Sequence, residues 1–127
     1  MSDTLVAHLD IKIVEVGDDY IKATMPVQNK SKQPLGLLHG GASAALSESI
    51  GSVAGVLILE DIGKEQIVGV ELNANHLRSV KSGLVYSITR PVKVGRRIQV
   101  WNTEIFDESH NLVCTSRLTT MRISTNG

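Results

Sequence analysis

Residues 40–59 read GGASAALSESIGSVAGVLIL, and the way this stretch folds sets the rest of the chain around it. It is rich in alanine and leucine and free of proline, which favours a helix. In helical register Ala42, Ala45, Leu46, Ile50, Val53, Ala54 and Leu57 fall on nearly every side. A helix lying on a protein surface would keep one charged face. This one carries a single charge, Glu48, among Ser47, Ser49 and Ser52. The pattern predicts a helix from Gly40 to about Leu59 that other structure wraps, ended by Asp61-Ile62-Gly63-Lys64. Its length approaches that of a membrane span, but a carboxylate at bilayer depth is costly, so a buried helix is the better reading.

Outward from the helix the periodicity changes to two. Leu9 to Val16 alternates with Leu9, Ile11 and Ile13 on one face, Gly17-Asp18-Asp19 is a turn signal, and Ile21, Ala23, Met25 and Val27 alternate again. Two such runs across a polar turn predict a hairpin, with Pro26 at an edge or a strand end. Gln28 to Leu38 reads as a loop. After the helix, Val68, Val70, Leu72 and Ala74 alternate up to His76, and Leu84, Tyr86 and Ile88 alternate ahead of Pro91. A further run from Ile98 reaches Phe106, Asp107 to Asn111 forms a turn, and Leu112 to Ile123 closes the chain. One helix among antiparallel strands makes an α+β domain, residues 1–127 as a single unit, with the sheet curled around the helix.

Composition narrows the function. Thirteen basic and thirteen acidic residues cancel among the 127, which removes the bulk electrostatic case for nucleic acid. Hydrophobic residues make up 42%, enough for a core, but aromatics only 3%, so that core must be aliphatic. The single cysteine, Cys114, cannot form an internal disulfide and reads as a buried residue on a strand, in keeping with a reducing compartment. Met1 to Asp10 has neither a basic start nor an apolar run of the signal-peptide kind. A soluble cytoplasmic protein is expected. Gly41-Ala42-Ser43-Ala44-Ala45 lacks the second glycine of a nucleophile elbow, and no P-loop, G-x-G-x-x-G or H-E-x-x-H occurs. The four histidines are scattered, so no metal and no redox cofactor is expected.

Two features remain. Leu38-His39-Gly40-Gly41 stands at the mouth of the helix, where the first N–H groups have no internal partner and the dipole is positive. Glycines there let a ligand approach the backbone, which suits an anion or an oxyanion; a tight turn is the plainer use of the pair. Glu48, between Leu46 and Ile50, is the second. Desolvating an unpaired carboxylate costs several kcal/mol, so a fold keeps one for a partner or for chemistry. The plainer reading is a solvated glutamate on a stripe with Ser49 and Ser52. Gly40 and Glu48 lie ~12 Å apart along one helix, too far to act on one carbon. If both do, the glutamate comes from a second subunit, and a symmetric dimer with two composite sites follows.

The stretch Gln33 to Ser43, QPLGLLHGGAS, with Glu48 to Gly55, ESIGSVAG, resembles the hotdog-fold acyl-CoA thioesterases. Within them it is most similar to the branch that holds 4-hydroxybenzoyl-CoA thioesterase and the 1,4-dihydroxy-2-naphthoyl-CoA thioesterase of menaquinone synthesis. Val68 to His76 and Ser116 to Thr120 agree with that branch, and the similarity runs from about Leu9 to Ile123. The resemblance implies paired subunits with a continuous sheet and two dimers in a homotetramer. It implies Glu48 as catalytic carboxylate, nucleophile or general base, and the Gly40 N–H as donor to the thioester oxygen. Gln33 and His39 would polarise or orient that carbonyl, Ser52 would position water or the acyl group, and His76 would line the acyl pocket. Each has a structural rival: a helix cap for His39, a loop brace for Gln33, a core position for His76, a bond back along the helix for Ser52. The first strand is expected near the N-terminus, where relatives in the branch often carry a longer helix.

The chemistry matches the parts. Attack on a thioester carbon builds negative charge on oxygen, which fixed N–H donors stabilise, and a poorly solvated carboxylate is the better base. Coenzyme A, present only as part of the substrate, brings phosphates. Arg78 and Lys81 after the His76 strand, and Lys93, Arg96 and Arg97 around Gly95, are the candidates to meet them. Hydrolysis of aromatic acyl-CoA thioesters is therefore the expected activity. A hotdog dehydratase or hydratase would need an acid where Gln33 stands, and a non-enzymatic acyl-CoA binder would not need Glu48.

Overall fold

The computed structural model describes residues 3–59 and 63–125. The elements are α1 (Leu5–His8), β1 (Lys12–Val16), β2 (Ile21–Pro26), a single 3-10 turn (Asn29–Ser31), α2 (Gly40–Leu57), β3 (Glu65–His76), β4 (Leu84–Val94), β5 (Ile98–Phe106) and β6 (Leu112–Ser124). Every neighbouring pair of strands is antiparallel, in the order β1-β2-β4-β5-β6-β3. The long helix packs across β3, β6, β5, β4 and β2, so the sheet curls around it as the patterning predicts. Met25, Leu46, Ile50, Val85 and Ile105 are fully buried between the two, and Cys114 joins them, its thiol pushed up by burial. No helix among the described residues is long and apolar enough to cross a membrane.

The hairpin forms as read, with Pro26 as the last residue of β2, opposite Leu84. Its first strand starts later than expected. Leu9 to Ile11 is not strand: Thr4 Oγ1 accepts from the Ala7 N–H (3.2 Å) and caps the one-turn helix α1, and Asp10 then reverses the chain at φ +56. That reversal drops both Leu9 and Ile11 into the core, which imitates strand alternation, while all five residues of β1 are exposed. Asp10 is fixed by the Gln28 side-chain amide, which donates to Oδ2 (2.8 Å), and by Lys30 (3.4 Å). The Gln28 bond, then Lys30, holds the Asp10 carboxyl below the usual carboxylate range.

On β4 the apolar residues Leu84, Tyr86 and Ile88 turn outward, and Val85, Ser87 and Thr89 face the helix. Polar side chains are tolerated there because several pair across strands. Thr89 and Thr103 share a 2.7 Å hydrogen bond, the Trp101 indole donates to Thr120 Oγ1 (3.0 Å), and Thr120 Oγ1 donates to Gln99 Oε1 (2.9 Å).

The helix ends at Leu57, two residues short of Leu59, with Ile58 as its C-cap. Gly63 and Lys64 lead into β3; Asp61 and Ile62 of the expected stop lie outside the described residues. The expectation that α2 is wrapped on all sides is corrected. Ala42, Ser43, Leu46, Ser47, Ile50, Gly51, Ala54 and Gly55 are buried, but the side carrying Gly41 and Glu48 is open. The adjoining edge strand, β3, is open as well, with Val70 bulged out between Gly69 and Glu71 and 55% exposed.

Candidate active site

The loop before α2 is built from short-range hydrogen bonds. Ser31 Oγ accepts from the Gln28 N–H (3.0 Å), and the Ser31 carbonyl accepts from the His39 N–H (2.8 Å). Gln33 closes a small turn: its N–H donates to the Leu37 carbonyl (2.8 Å) and its carbonyl accepts from Gly36 (3.0 Å). Gln33 Oε1 accepts from the Leu35 N–H (2.5 Å), which leaves the side-chain NH2 as the donor end. Leu38 then ties the loop to the segment after β3 by donating to the Val80 carbonyl (2.8 Å).

At the mouth of the helix His39 is the N-cap, its Nδ1 accepting from the Gly41 N–H (2.7 Å). With Nδ1 occupied as acceptor, the neutral ring carries its proton on Nε2. Gly40 is the first helical residue, and its N–H makes no hydrogen bond among the described residues. A Cβ at Gly40 would sit 3.0 Å from His76 Nε2, so the imidazole at the end of β3 rests directly on this backbone. Gln33, Leu37, Gly40, His76, Arg78 and Val113 line one pocket of about 280 Å³. Four of the residues expected at the site therefore meet in one place, and His39 stands at its edge as the helix cap.

Glu48 and Ser52 lie elsewhere. They line an open groove of about 560 Å³ with Leu5, Val6, Ala45 and Ser49, and no residue belongs to both this groove and the Gly40 pocket. The expectation that Glu48 is stranded among apolar side chains is corrected: in this chain it is exposed. The reason is the helix phase. Leu46 and Ile50 on either side point into the core, while Glu48 shares its face with Gly41, Ala45 and Ser52, all small. Its carboxylate leans on the open edge strand, Oε2 lying 3.1 Å from where a Cβ on Gly69 would be.

The basic candidates separate too. Arg78 reaches the Gly40 pocket. Arg96 and Arg97 are exposed on the β4–β5 hairpin, which follows Val94; Val94 lines a pocket with Leu57 and Ile58 at the other end of α2. That end is ~27 Å from Gly40 along the helix. Lys81 and Lys93 are exposed and line neither site. One residue near the pocket went unnoticed in the sequence. Asp107 in the β5–β6 turn lies 3.7 Å from Arg78 Nε through Oδ2. Its signal was the Asp107-x-Ser109-x-Asn111 spacing of a side-chain-closed turn, which carries no hint of the distant arginine.

Comparison with known proteins agrees with this architecture. Residues 35–114 match the model of the thioesterase superfamily. The chain is 55% identical over 116 residues to a 1,4-dihydroxy-2-naphthoyl-CoA hydrolase of Escherichia coli, covering 91% of this chain and 84% of that one. It is 49% identical to a proofreading thioesterase, EntH, of Cronobacter turicensis, covering 92% and 84%. The crystal structure of a thioesterase from Haemophilus influenzae superposes with a TM-score of 0.92 at 50% identity, covering 97% of this chain and 85% of that one.

Proposed function

Because this chain belongs to the thioesterase superfamily and has its hotdog fold, we propose that it hydrolyses aromatic acyl-CoA thioesters, with 1,4-dihydroxy-2-naphthoyl-CoA the first substrate to try. The name of the 1,4-dihydroxy-2-naphthoyl-CoA hydrolase, 55% identical to this chain, supports that acyl class. The pocket around Gly40 supplies the electrophilic half of the reaction. The unpaired Gly40 N–H, the positive end of α2 and the Gln33 NH2 group can stabilise the charge that builds on the thioester oxygen. The thioester carbon is attacked, the C–S bond breaks, and water supplies the new oxygen of the carboxylic acid and the proton for the coenzyme A thiol.

Glu48 is assigned as the carboxylate that attacks or activates water, with Ser52 one turn on beside it. The observation that carries this reading is the separation of the two halves. Each chain has a pocket around Gly40 that no carboxylate lines, and an open groove that holds Glu48 but none of that pocket's residues. A dimer that joins two β3 edges antiparallel near Leu72 and Asn73 would set Gly69 of one chain opposite the partner's His76. Glu48, which leans on Gly69, would then face the Gly40 pocket of the second chain. The same pairing would cover the exposed Val70 and take Glu48 out of solvent. Two such dimers would make the homotetramer.

The test is release of free thiol across a panel of aromatic and aliphatic CoA thioesters. Turnover concentrated on the aromatic members supports the reading, and no release from any member contradicts it.

A further inference from the structure

The β5–β6 turn takes no part in the chemistry above, yet it reaches the rim of the Gly40 pocket. Asp107 organises it: Oδ1 accepts from the N–H groups of Ser109 and Asn111 (2.9 Å each), and Oδ2 accepts from Asn111 Nδ2 (3.1 Å). The Asn111 backbone N–H, with these other donors, holds the Asp107 carboxyl below the usual carboxylate range. The turn is also fastened to the start of β4, where Glu108 Oε1 accepts from the Leu84 N–H (2.8 Å). Gly83 makes that contact possible. It adopts φ +86, and a Cβ there would lie 1.9 Å from the Glu108 oxygen.

From this fixed base Oδ2 of Asp107 meets Arg78 at Nε, 3.7 Å away. The aspartate side chain is mostly buried, the arginine half exposed. The Arg78 backbone is held as well, its N–H and that of Leu77 both donating to the Val113 carbonyl (3.3 and 2.8 Å). A guanidinium that turns Nε toward a carboxylate at this ion-pair distance keeps its two Nη groups as a fork, the end that takes two oxygens of a phosphate.

We infer that Asp107 is a positioning residue: by holding Arg78 at Nε it presents the Nη fork at the mouth of the Gly40 pocket, where it takes a phosphate of the coenzyme A moiety. This rests on the proposed acyl-CoA substrate. The three N–H donors of the turn anchor the carboxylate in place, so it meets Arg78 on the Nε side and leaves the Nη groups to the ligand.

Calorimetric titration of the full chain with coenzyme A, 3′-dephospho-coenzyme A and pantetheine tests it without depending on turnover. Asp107→Asn keeps an acceptor for the turn but removes the charge that holds Arg78. It is expected to raise the Kd for coenzyme A about tenfold, Arg78→Gln by a similar factor, and the double variant by little more. Pantetheine, which has no phosphate, is expected to bind all of them equally, and the dephospho ligand tells which phosphate is held. Arg78→Lys leaves the turn intact and keeps the charge but lacks Nε, so it is expected to weaken binding too. An Asp107→Asn chain that binds coenzyme A as tightly as wild type or tighter, a parallel loss for pantetheine, or full affinity in Arg78→Lys would overturn the inference. Should Asp107→Asn fail to fold, Arg78→Lys decides. Coenzyme A binding without thiol release in the wild type would remove the hydrolase reading alone; no coenzyme A binding would remove this one.

Discussion

The two ends of the first nine residues of α2 are built to different standards. At Gly40 the chain spends a loop of local hydrogen bonds, a histidine cap and the end of β3 on walls around one unpaired N–H. At Glu48 it leaves a carboxylate on a face of small side chains, open beside an unpaired sheet edge. If both belong to one site, as proposed, a single copy completes one half of it and leaves the other bare. In the proposed dimer a second copy covers the bare half.

The largest effect expected is at the bare half. Glu48→Ala should cut turnover of an aromatic CoA thioester by about a thousandfold or more, with the assembly unchanged in sedimentation. Hydrolysis at a wild-type rate would break the contrast, since the groove would then hold nothing the reaction needs. At the walled half Gly40→Ala should cost about a hundredfold, on the order of 3 kcal/mol, mainly in kcat. Its Cβ would press on His76 at 3.0 Å and disturb the donor geometry. An effect confined to KM would sink the oxyanion role of that N–H.

A smaller effect separates stability from chemistry. The Asp10 carboxyl has its pKa depressed by Gln28 and Lys30, so its contribution to stability is present above the unfolded value near 3.8 and is lost as pH falls through the depressed folded one. Asp10→Asn should therefore lower Tm at neutral pH, with the gap closing in acid below that value and thiol release at room temperature unaltered. A gap that persists at low pH would mean the carboxylate charge is not what ties the N-terminal turn down.

Most of the scaffold was legible in the residues. Alanine and leucine between His39 and Leu57 specify the helix, and period-two alternation specifies the strands around it. What stayed hidden has physical causes. Counting apolar residues treats Ala45 like Leu46, but alanine can face solvent without loss, so the count favours a buried helix over the solvated Glu48 stripe that the structure shows. Leu9 and Ile11 mimic a strand because a φ-positive residue between them sends both inward. On β4 the faces are exchanged because Thr89 finds Thr103 across the strands, a pairing that needs the sheet to exist. In the site, Gly40 and Glu48 stood out by chemistry alone, whereas Asp107 is defined by a contact with Arg78 that only the folded chain brings about.

Mixing two crippled chains tests most directly whether the halves come from different copies. Glu48→Ala and the double variant Gln33→Ala with Gly40→Ala, each nearly inactive alone, are co-refolded at equal amounts and assayed for thiol release. If the site is shared between copies, half of the dimers are mixed and each holds one intact site, so activity recovers to about a quarter of wild type. Activity that stays at the average of the two parents would mean that each chain works alone.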